Sequence, residues 1–297
     1  MPEYPDIVVY VECLRERIAG QTLRAIRLHN PFLLRTVTPT INSLIERRVI
    51  DVERLAKRIV LAFECETFAV LHLMVAGRLR WLPASAKPAK PPARITLATF
   101  VFDAGTLAFT EAGTRRRASL HLVQGRDALR ALDPGGIDVL AVDRTRFAEL
   151  LVAENHTLKR VLTDPHVFSG IGNAYSDEIL FAARLSPLAL SQKLAADEIT
   201  RLYQAAQHTL TSWADRLRAE SAQRFPENVT AFRPGMAVHG RFGAPCRVCG
   251  APVQRIVYAD NETHYCARCQ TGGKLLADRA LSRLLHASWP KNIDELG

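Results

Sequence analysis

Residues 47–82 read RRVIDVERLAKRIVLAFECETFAVLHLMVAGRLRWL. Apolar and polar residues alternate through most of this stretch, and β-branched and aromatic residues are frequent. Shorter runs of the same kind lie on either side: TLRAIRL (22–28), RITLATFVFD (94–103), TLAFTEA (106–112) and ASLHLV (118–123). Gly, Pro, Asn and Asp separate them, which predicts an antiparallel sandwich or barrel. The Pro- and Lys-rich PASAKPAKPPAR (83–94) interrupts the pattern and reads as an exposed loop.

Upstream, MPEYPDIVVYVECLRERI places Ile7, Val8, Val11, Leu14 and Ile18 on one helical face. Downstream, the character changes at about Asp133. DRTRFAELLVAENHTLKRVLTD (143–164) and AADEITRLYQAAQHTLTSWADRLRAES (195–221) carry helical periodicity, with N-terminal caps expected at Asp143 and at Ala196–Asp197. A small β module follows, and then LLADRALSRLLHASW (275–289), which predicts a helical tail. The expected division is therefore 1–132, 133–232, 233–272 and 273–297.

The chain has 297 residues, enough for several cores, and a formal net charge of +9. Such a balance favours a polyanionic partner, nucleic acid before an anionic membrane surface. No apolar run approaches a membrane span, and no secretory leader is expected. Two of the six cysteines, Cys13 and Cys65, stand alone and are expected to be reduced core residues. That usage suits a reducing cytosol.

The other four cysteines form the sharpest local signal. Cys246 and Cys249 make one C-x2-C pair, Cys266 and Cys269 the other, with sixteen residues between. Two such knuckles close a tetrahedral thiolate site around one Zn²⁺, which is structural because no coordination position stays open. Arg241, Arg247, Arg255, His264 and Arg268 decorate the module and present either cations for phosphates or a solvated basic face.

Two further stretches carry chemistry. GIGNAYSDEILF (170–181) is a Gly-x-Gly-Asn turn running into a helix, where exposed N–H groups and Asn173 can meet a phosphate. At the terminus, removal of Met1 would leave Pro2 with a secondary amine of low reference pKa, able to attack an anomeric carbon. Glu3 beside it could act as general acid/base. The blander reading makes Pro2 a helix starter and Glu3 a partner of the helix dipole.

Taken in order, the Pro-Glu terminus, β-rich half, GIGNAYSDEILF and four-cysteine module resemble the formamidopyrimidine-DNA glycosylase/endonuclease VIII family. MPEYPDIV matches its MPELPEVE opening, LAKRIVL its AKxxxL lysine at Lys57, and HLMVAG (72–77) its HLGMSG loop. GRFGAPCRVCGAP and THYCARCQ match its zinc finger. The resemblance implies an α+β multi-domain fold: an N-terminal antiparallel β-sandwich with flanking helices, a helix–two-turn–helix domain and a C-terminal zinc finger. It implies a bifunctional glycosylase/lyase acting on damaged DNA, with Pro2 as Schiff-base nucleophile, Glu3 as acid/base and Lys57 in β-elimination. DNA contacts are expected from His72, Arg94, Arg115, Arg116, Lys159 and Asn173. A monomer in the cytoplasm, associated with the nucleoid, is expected, with no membrane partner.

The sequence also departs from the family pattern. Asn261 stands where an arginine linked to δ-elimination is usual, with Arg255 and Arg268 as the nearby substitutes. Val75 takes the place of a base-replacing methionine, beside Met74. The wedge phenylalanine of the DxRRFG loop aligns near Arg117, so that loop has no aromatic. A phosphate-contacting histidine is replaced near Arg94, and the second acidic residue is Asp6. Oxidised purines lead as substrates, oxidised pyrimidines follow, and the rivals are a lesion-binding protein without glycosylase activity and a zinc-ribbon transcription or translation factor.

Overall fold

The alternating runs become eight strands in two four-stranded sheets. The computed structural model describes residues 1–84, 93–113, 115–227, 229–258, 261–276 and 290–296. These group into two units, residues 1–134 with 213–230, and residues 135–212 with 231–297. Each unit is taken by itself.

In the first unit, one sheet has the order β2 (Val49–Leu55), β3 (Arg58–Phe63), β4 (Thr67–His72), β8 (Ser119–Gln124). The other runs β1 (Leu23–Leu28), β6 (Thr96–Phe102), β7 (Gly105–Glu111), β5 (Gly77–Pro83). Every pairing is antiparallel. Ile59, Leu61, Ala69, Leu71, Leu120 and Leu122 of the first sheet join Leu79, Phe100, Leu107 and Phe109 of the second in one core. Helix α1 (Tyr4–Ile18) adds Ile7, Tyr10, Leu14 and Ile18 to it. At ~1.5–3 kcal/mol per buried large side chain, that face fixes the helix far more firmly than its propensity could. A short helix, α2 (Arg126–Arg130), follows β8.

The stretch 67–82 reads as continuous strand, yet it serves both sheets. The chain crosses between them at Leu73–Ala76, where Met74 has φ 52°. A Cβ on Gly77 would lie 2.2 Å from the Leu73 carbonyl oxygen, so only glycine can follow this turn. Cys65 is not in the core as expected. It is exposed, with φ 61°, in the tight turn Glu64–Glu66 between β3 and β4. Cys13 is buried as expected.

The second unit holds helices α3 (Arg144–Val152), α4 (Leu158–Thr163), α5 (Asn173–Ala182) and the start of α6 (Ala196–Ser221). The buried Phe147 ring of α3 lies 4.9 Å from that of Phe168 and 5.4 Å from that of Tyr203 on α6. Asp143 caps α3, its carboxylate accepting the Arg146 N–H at 2.8 Å. The long helical reading of 143–164 breaks into two helices, since His156 and Thr157 turn the chain towards Ser191 and Leu190. A hairpin of β9 (Gln254–Tyr258) and β10 (Asn261–Tyr265) and a short helix, Ala267–Thr271, carry the cysteines.

Helix α6 is divided: from Trp213 onward it clusters with the first unit, whereas the sequence groups it with 133–232. Leu217 enters the first core together with Phe225 and Val229, and Arg218 makes a forked ion pair with Glu12 of α1. Most of the expected helical tail, 277–289, lies outside the described residues. Residues 290–296 return to the finger, where Ile293 is buried beside Leu275 and donates its N–H to the Gly273 carbonyl.

Candidate active site and zinc centre

One end of the first unit gathers most of the expected residues. Leu55, Arg58, His72 and Ser119 lie in a row across the first sheet. Gly77 pairs with Glu111, Thr96 with Thr110 and Leu28 with Ala98 across the second. Short connections from β4 to β5 and from β7 to β8 join the two sheets at this end. The result is a rim that carries Lys57, His72, Arg94, Arg115 and Arg116.

The amino terminus is fastened to this rim. The Asp6 carboxylate accepts the Glu3 N–H at 2.9 Å, half of a reciprocal N-terminal cap, so Asp6 has a structural task. Glu3 itself is only 2 % exposed. Tyr4 lies under the Arg54 guanidinium at 4.8 Å, and Arg54 donates to the Ala56 carbonyl at 3.0 Å. Ala56, with φ 52°, and Lys57 form the two-residue turn between β2 and β3. This linkage puts the first residues of the chain beside Lys57.

Electrostatics confirm the convergence. Burial pulls the Met1 amino group below its ordinary value, and Glu3 opposes that shift. Burial likewise lowers the Lys57 ammonium, again opposed by Glu3. Arg78 adds positive potential at the terminus while donating to the Val75 and Gly77 carbonyls at 3.0 and 2.6 Å. His72 is pushed down to about 4 by burial, then by Arg58 and Lys57. It is therefore neutral near pH 7 and presents an imidazole N–H rather than a charge.

Exposed Arg94, Arg115, Arg116 and Arg117 complete the rim, with Arg116 donating to the Arg94 carbonyl at 2.7 Å. Sequence reading missed Tyr4, Arg54, Arg58, Arg78 and His121. Their roles arise from strand register and from a turn tied to a helix start, neither of which is a local pattern.

The second unit contains Lys159 and Asn173, but neither side chain stands alone. Lys159 Nζ lies 2.5 Å from Asp177 Oδ1 and 2.7 Å from the Asn173 carbonyl. Asn173 Nδ2 donates to the Glu262 carbonyl of β10 at 2.8 Å. Asp177 is fully enclosed, with His239 Nδ1 at 2.8 Å and the His264 N–H at 3.1 Å from Oδ2. Burial alone would raise this carboxyl; the Lys159 ammonium and the histidine hydrogen bonds outweigh it and hold it well below the usual range. Glu178 accepts the N–H groups of Ala237, Val238 and His239 at 2.7–2.9 Å. The acidic pair in GIGNAYSDEILF thus anchors the chain leading into the finger. Asp177, His239 and His264 also converge as potential metal ligands, but Lys159 already supplies the cation.

The four cysteine sulfurs lie within 4.8 Å of one another, with 3.9 Å between Cys246 and Cys269 and 3.4 Å between Cys249 and Cys266. Tetrahedral Zn–S bonds of about 2.3 Å require sulfurs roughly 3.8 Å apart, so the set fits one structural Zn²⁺. The basic decoration divides less evenly than its sequence suggests. His264 is buried, Arg255 pairs with Glu262 at 2.9 Å above the Phe242 ring, and Arg268 pairs with Asp294 at 2.6 Å. Arg241 and Arg247 donate to carbonyls of the module and its approach.

Fold and site define a protein with an N-terminal antiparallel β-sandwich, a helical region and a C-terminal zinc finger. Family models match in the same order: the formamidopyrimidine-DNA glycosylase N-terminal domain over residues 1–120, its H2TH domain over 136–221, and the zinc finger found in FPG and IleRS over 243–272. A formamidopyrimidine-DNA glycosylase of Thermus thermophilus is 32 % identical over 283 residues, covering 92 % of this chain and all of its own. The MutM (Fpg) crystal structure from that organism aligns with TM-score 0.73 and 30 % identity over 91 % of this chain and 98 % of that one. An uncharacterized formamidopyrimidine-DNA glycosylase-like protein of Mycobacterium tuberculosis is 44 % identical over 156 residues, 52 % of this chain and 95 % of its own. A Lactococcus lactis FPG mutant bound to Fapy-dG DNA shares the fold, with TM-score 0.78, 24 % identity, and coverage of 91 % of this chain and all of that one. The chain belongs to the formamidopyrimidine-DNA glycosylase family.

Proposed function

We propose that the protein is a base-excision glycosylase and abasic-site lyase that works through Pro2. The carrying observation is that buried Glu3, half-buried Lys57 and the amino-terminal group meet at one end of α1. An α-amino group has a reference pKa well below that of lysine, so a larger fraction of it is neutral and nucleophilic near pH 7. With Met1 removed, the Pro2 nitrogen attacks C1′ as the bond from C1′ to the base breaks, and Glu3 moves the proton that opens the sugar ring. The iminium acidifies C2′; loss of that proton sends the electron pair to expel the 3′ phosphate. Extruding the nucleotide is the general route to such chemistry in a duplex.

Lys57 holds positive charge near the leaving phosphate, and the rim arginines and neutral His72 meet the strand. Asn173 and Lys159 shape the helix start in the second unit, where α5 presents its first N–H groups. Damaged DNA is the partner, oxidised purines of the formamidopyrimidine or 8-oxoguanine type the leading substrates, and the protein works as a monomer in the cytoplasm. The working division is 1–132 catalytic, 133–232 DNA-binding, 233–272 finger and 273–297 tail. Asn261 carries no cation, and Arg255 and Arg268 each pair with a surface carboxylate, Glu262 and Asp294. The expected product is therefore the unsaturated aldehyde of β-elimination.

Borohydride trapping on abasic DNA tests the reading, using protein whose N-terminus is verified by mass spectrometry. A covalent adduct that disappears in Pro2→Gly and in protein retaining Met1 is expected. A correctly processed terminus that gives no adduct would leave a lesion-binding protein instead.

A further inference from the structure

Phe32 is 78 % exposed, the most exposed aromatic side chain among the described residues. Such a ring on a loose loop would mean little, but this backbone is tied at every step. His29 and Asn30 both donate to the Leu97 carbonyl, at 2.8 and 3.1 Å. Asn30 Oδ1 accepts the Phe32 N–H at 3.0 Å and caps the short 3₁₀ turn Pro31–Leu33. Leu33 is buried, Leu34 bridges Leu120 of β8, and the Arg35 N–H donates to the Leu120 carbonyl at 2.9 Å. Leu120 lies one residue from the Ser119–His72 pair, so this turn stands on the same rim as Lys57.

The surroundings suit a nucleic-acid strand. Phe32, Arg35 and Arg116 line one groove, and both guanidiniums are exposed. Glu111 at its base is buried and turns its carboxylate to the Arg117 and Ala118 N–H groups at 2.9 and 3.2 Å. Nearby candidates are poorer: residues 112–118 contain no aromatic, and in the 73–76 turn the exposed side chain is the short Val75, with Met74 partly buried. A duplex from which a nucleotide has been extruded collapses unless an apolar side chain occupies the step.

We propose that Phe32 is that side chain: it enters the base stack at the damaged pair, with Arg35 and Arg116 on the flanking phosphates. This assignment rests on the glycosylase/lyase reading above. A rigid mount makes insertion cheap in conformational entropy, and the ring exchanges water for stacked bases.

The test compares wild type, Phe32→Ala and Phe32→Leu on a duplex carrying 2-aminopurine beside an abasic site, and on the same abasic strand without its complement. Wild type should raise the 2-aminopurine fluorescence on binding, Phe32→Ala should not, and Phe32→Leu should restore part of the rise. Borohydride trapping by Phe32→Ala should fall about tenfold on the duplex yet stay within about twofold on the single strand, which has no stack to hold open. Equal fluorescence and equal duplex trapping in Phe32→Ala would overturn the assignment, as would an equal loss on both substrates. If wild type traps neither substrate, the lyase reading itself fails, and that outcome is distinct from any behaviour of the variants.

Discussion

Glu3 and His72 show how much a single environment decides. Glu3 is one carboxylate facing two cationic groups whose charged forms burial disfavours. Glu3→Gln keeps the shape but removes proton transfer, so base excision should fall by about 10²–10⁴-fold in single-turnover assays. His72 makes a different prediction, because its folded pKa is depressed to about 4. The unfolded chain takes up a proton near pH 6.5 that the folded chain refuses, so stability present above that pH is lost as pH falls towards 4. His121 is lowered too, by burial and then by Arg58 and Arg35, and adds to the trend. Thermal unfolding should show His72→Gln flatter than wild type between pH 7 and pH 5. At this scale the zinc cysteines were legible because they sit in two short motifs, and short motifs likewise brought Pro2, Glu3 and Lys57 forward as candidates. The sequence was not legible for Arg54 and Tyr4, whose contact depends on a helix start meeting a hairpin about fifty residues away in the chain.

Elements explain the remaining gaps. Runs of strand character in the sequence cover all eight strands of the first unit. However, β2 with β3 and β4 with β5 each read as one run, and β3 and β4 are buried on both faces. Alternation could not reveal that 67–82 changes sheet, since the crossing is made by backbone conformation at Met74 and Gly77. In the same way, GIGNAYSDEILF reads as a phosphate-binding turn, while its Asp177 and Glu178 are invisible as anchors until β10 and residues 237–239 arrive. Asp177→Asn would leave the Lys159 ammonium enclosed without its counter-charge, which should cost about 3–5 kcal/mol in denaturant unfolding. A cost below about 1 kcal/mol would mean that water reaches the pair. The rim makes a separate prediction. Replacing Arg115 and Arg116 by Ala should weaken DNA binding and reduce the slope of log K against log salt by about two, if each neutralises one phosphate.

For the whole molecule, the +9 charge and the zinc centre are the two properties that were plain from composition and spacing. The finger core is small, built around Val238, Val253, Ile256, Tyr265 and Ile293, so metal binding supplies much of its folding energy. Chelation should release one zinc per chain, detected with a metal-sensitive dye, and abolish duplex binding. Trapping on a single-stranded abasic oligonucleotide should survive better, because its chemistry sits in the first unit. What composition could not show is the division of α6, whose apolar stripe runs without a break from Leu202 to Leu217.

That division has a consequence for how the chain is made. All eight strands of the first unit are complete by residue 124. Yet Leu217, Phe225, Val229 and the Arg218 partner of Glu12 belong to the same core and arrive only after the whole run 135–212. At ordinary synthesis rates the nascent sandwich waits on the order of ten seconds with that flank of α1 uncovered. Completion of the first core is thus timed by the far end of a helix, and a stalled chain ending before residue 213 carries α1 without the packing that covers it.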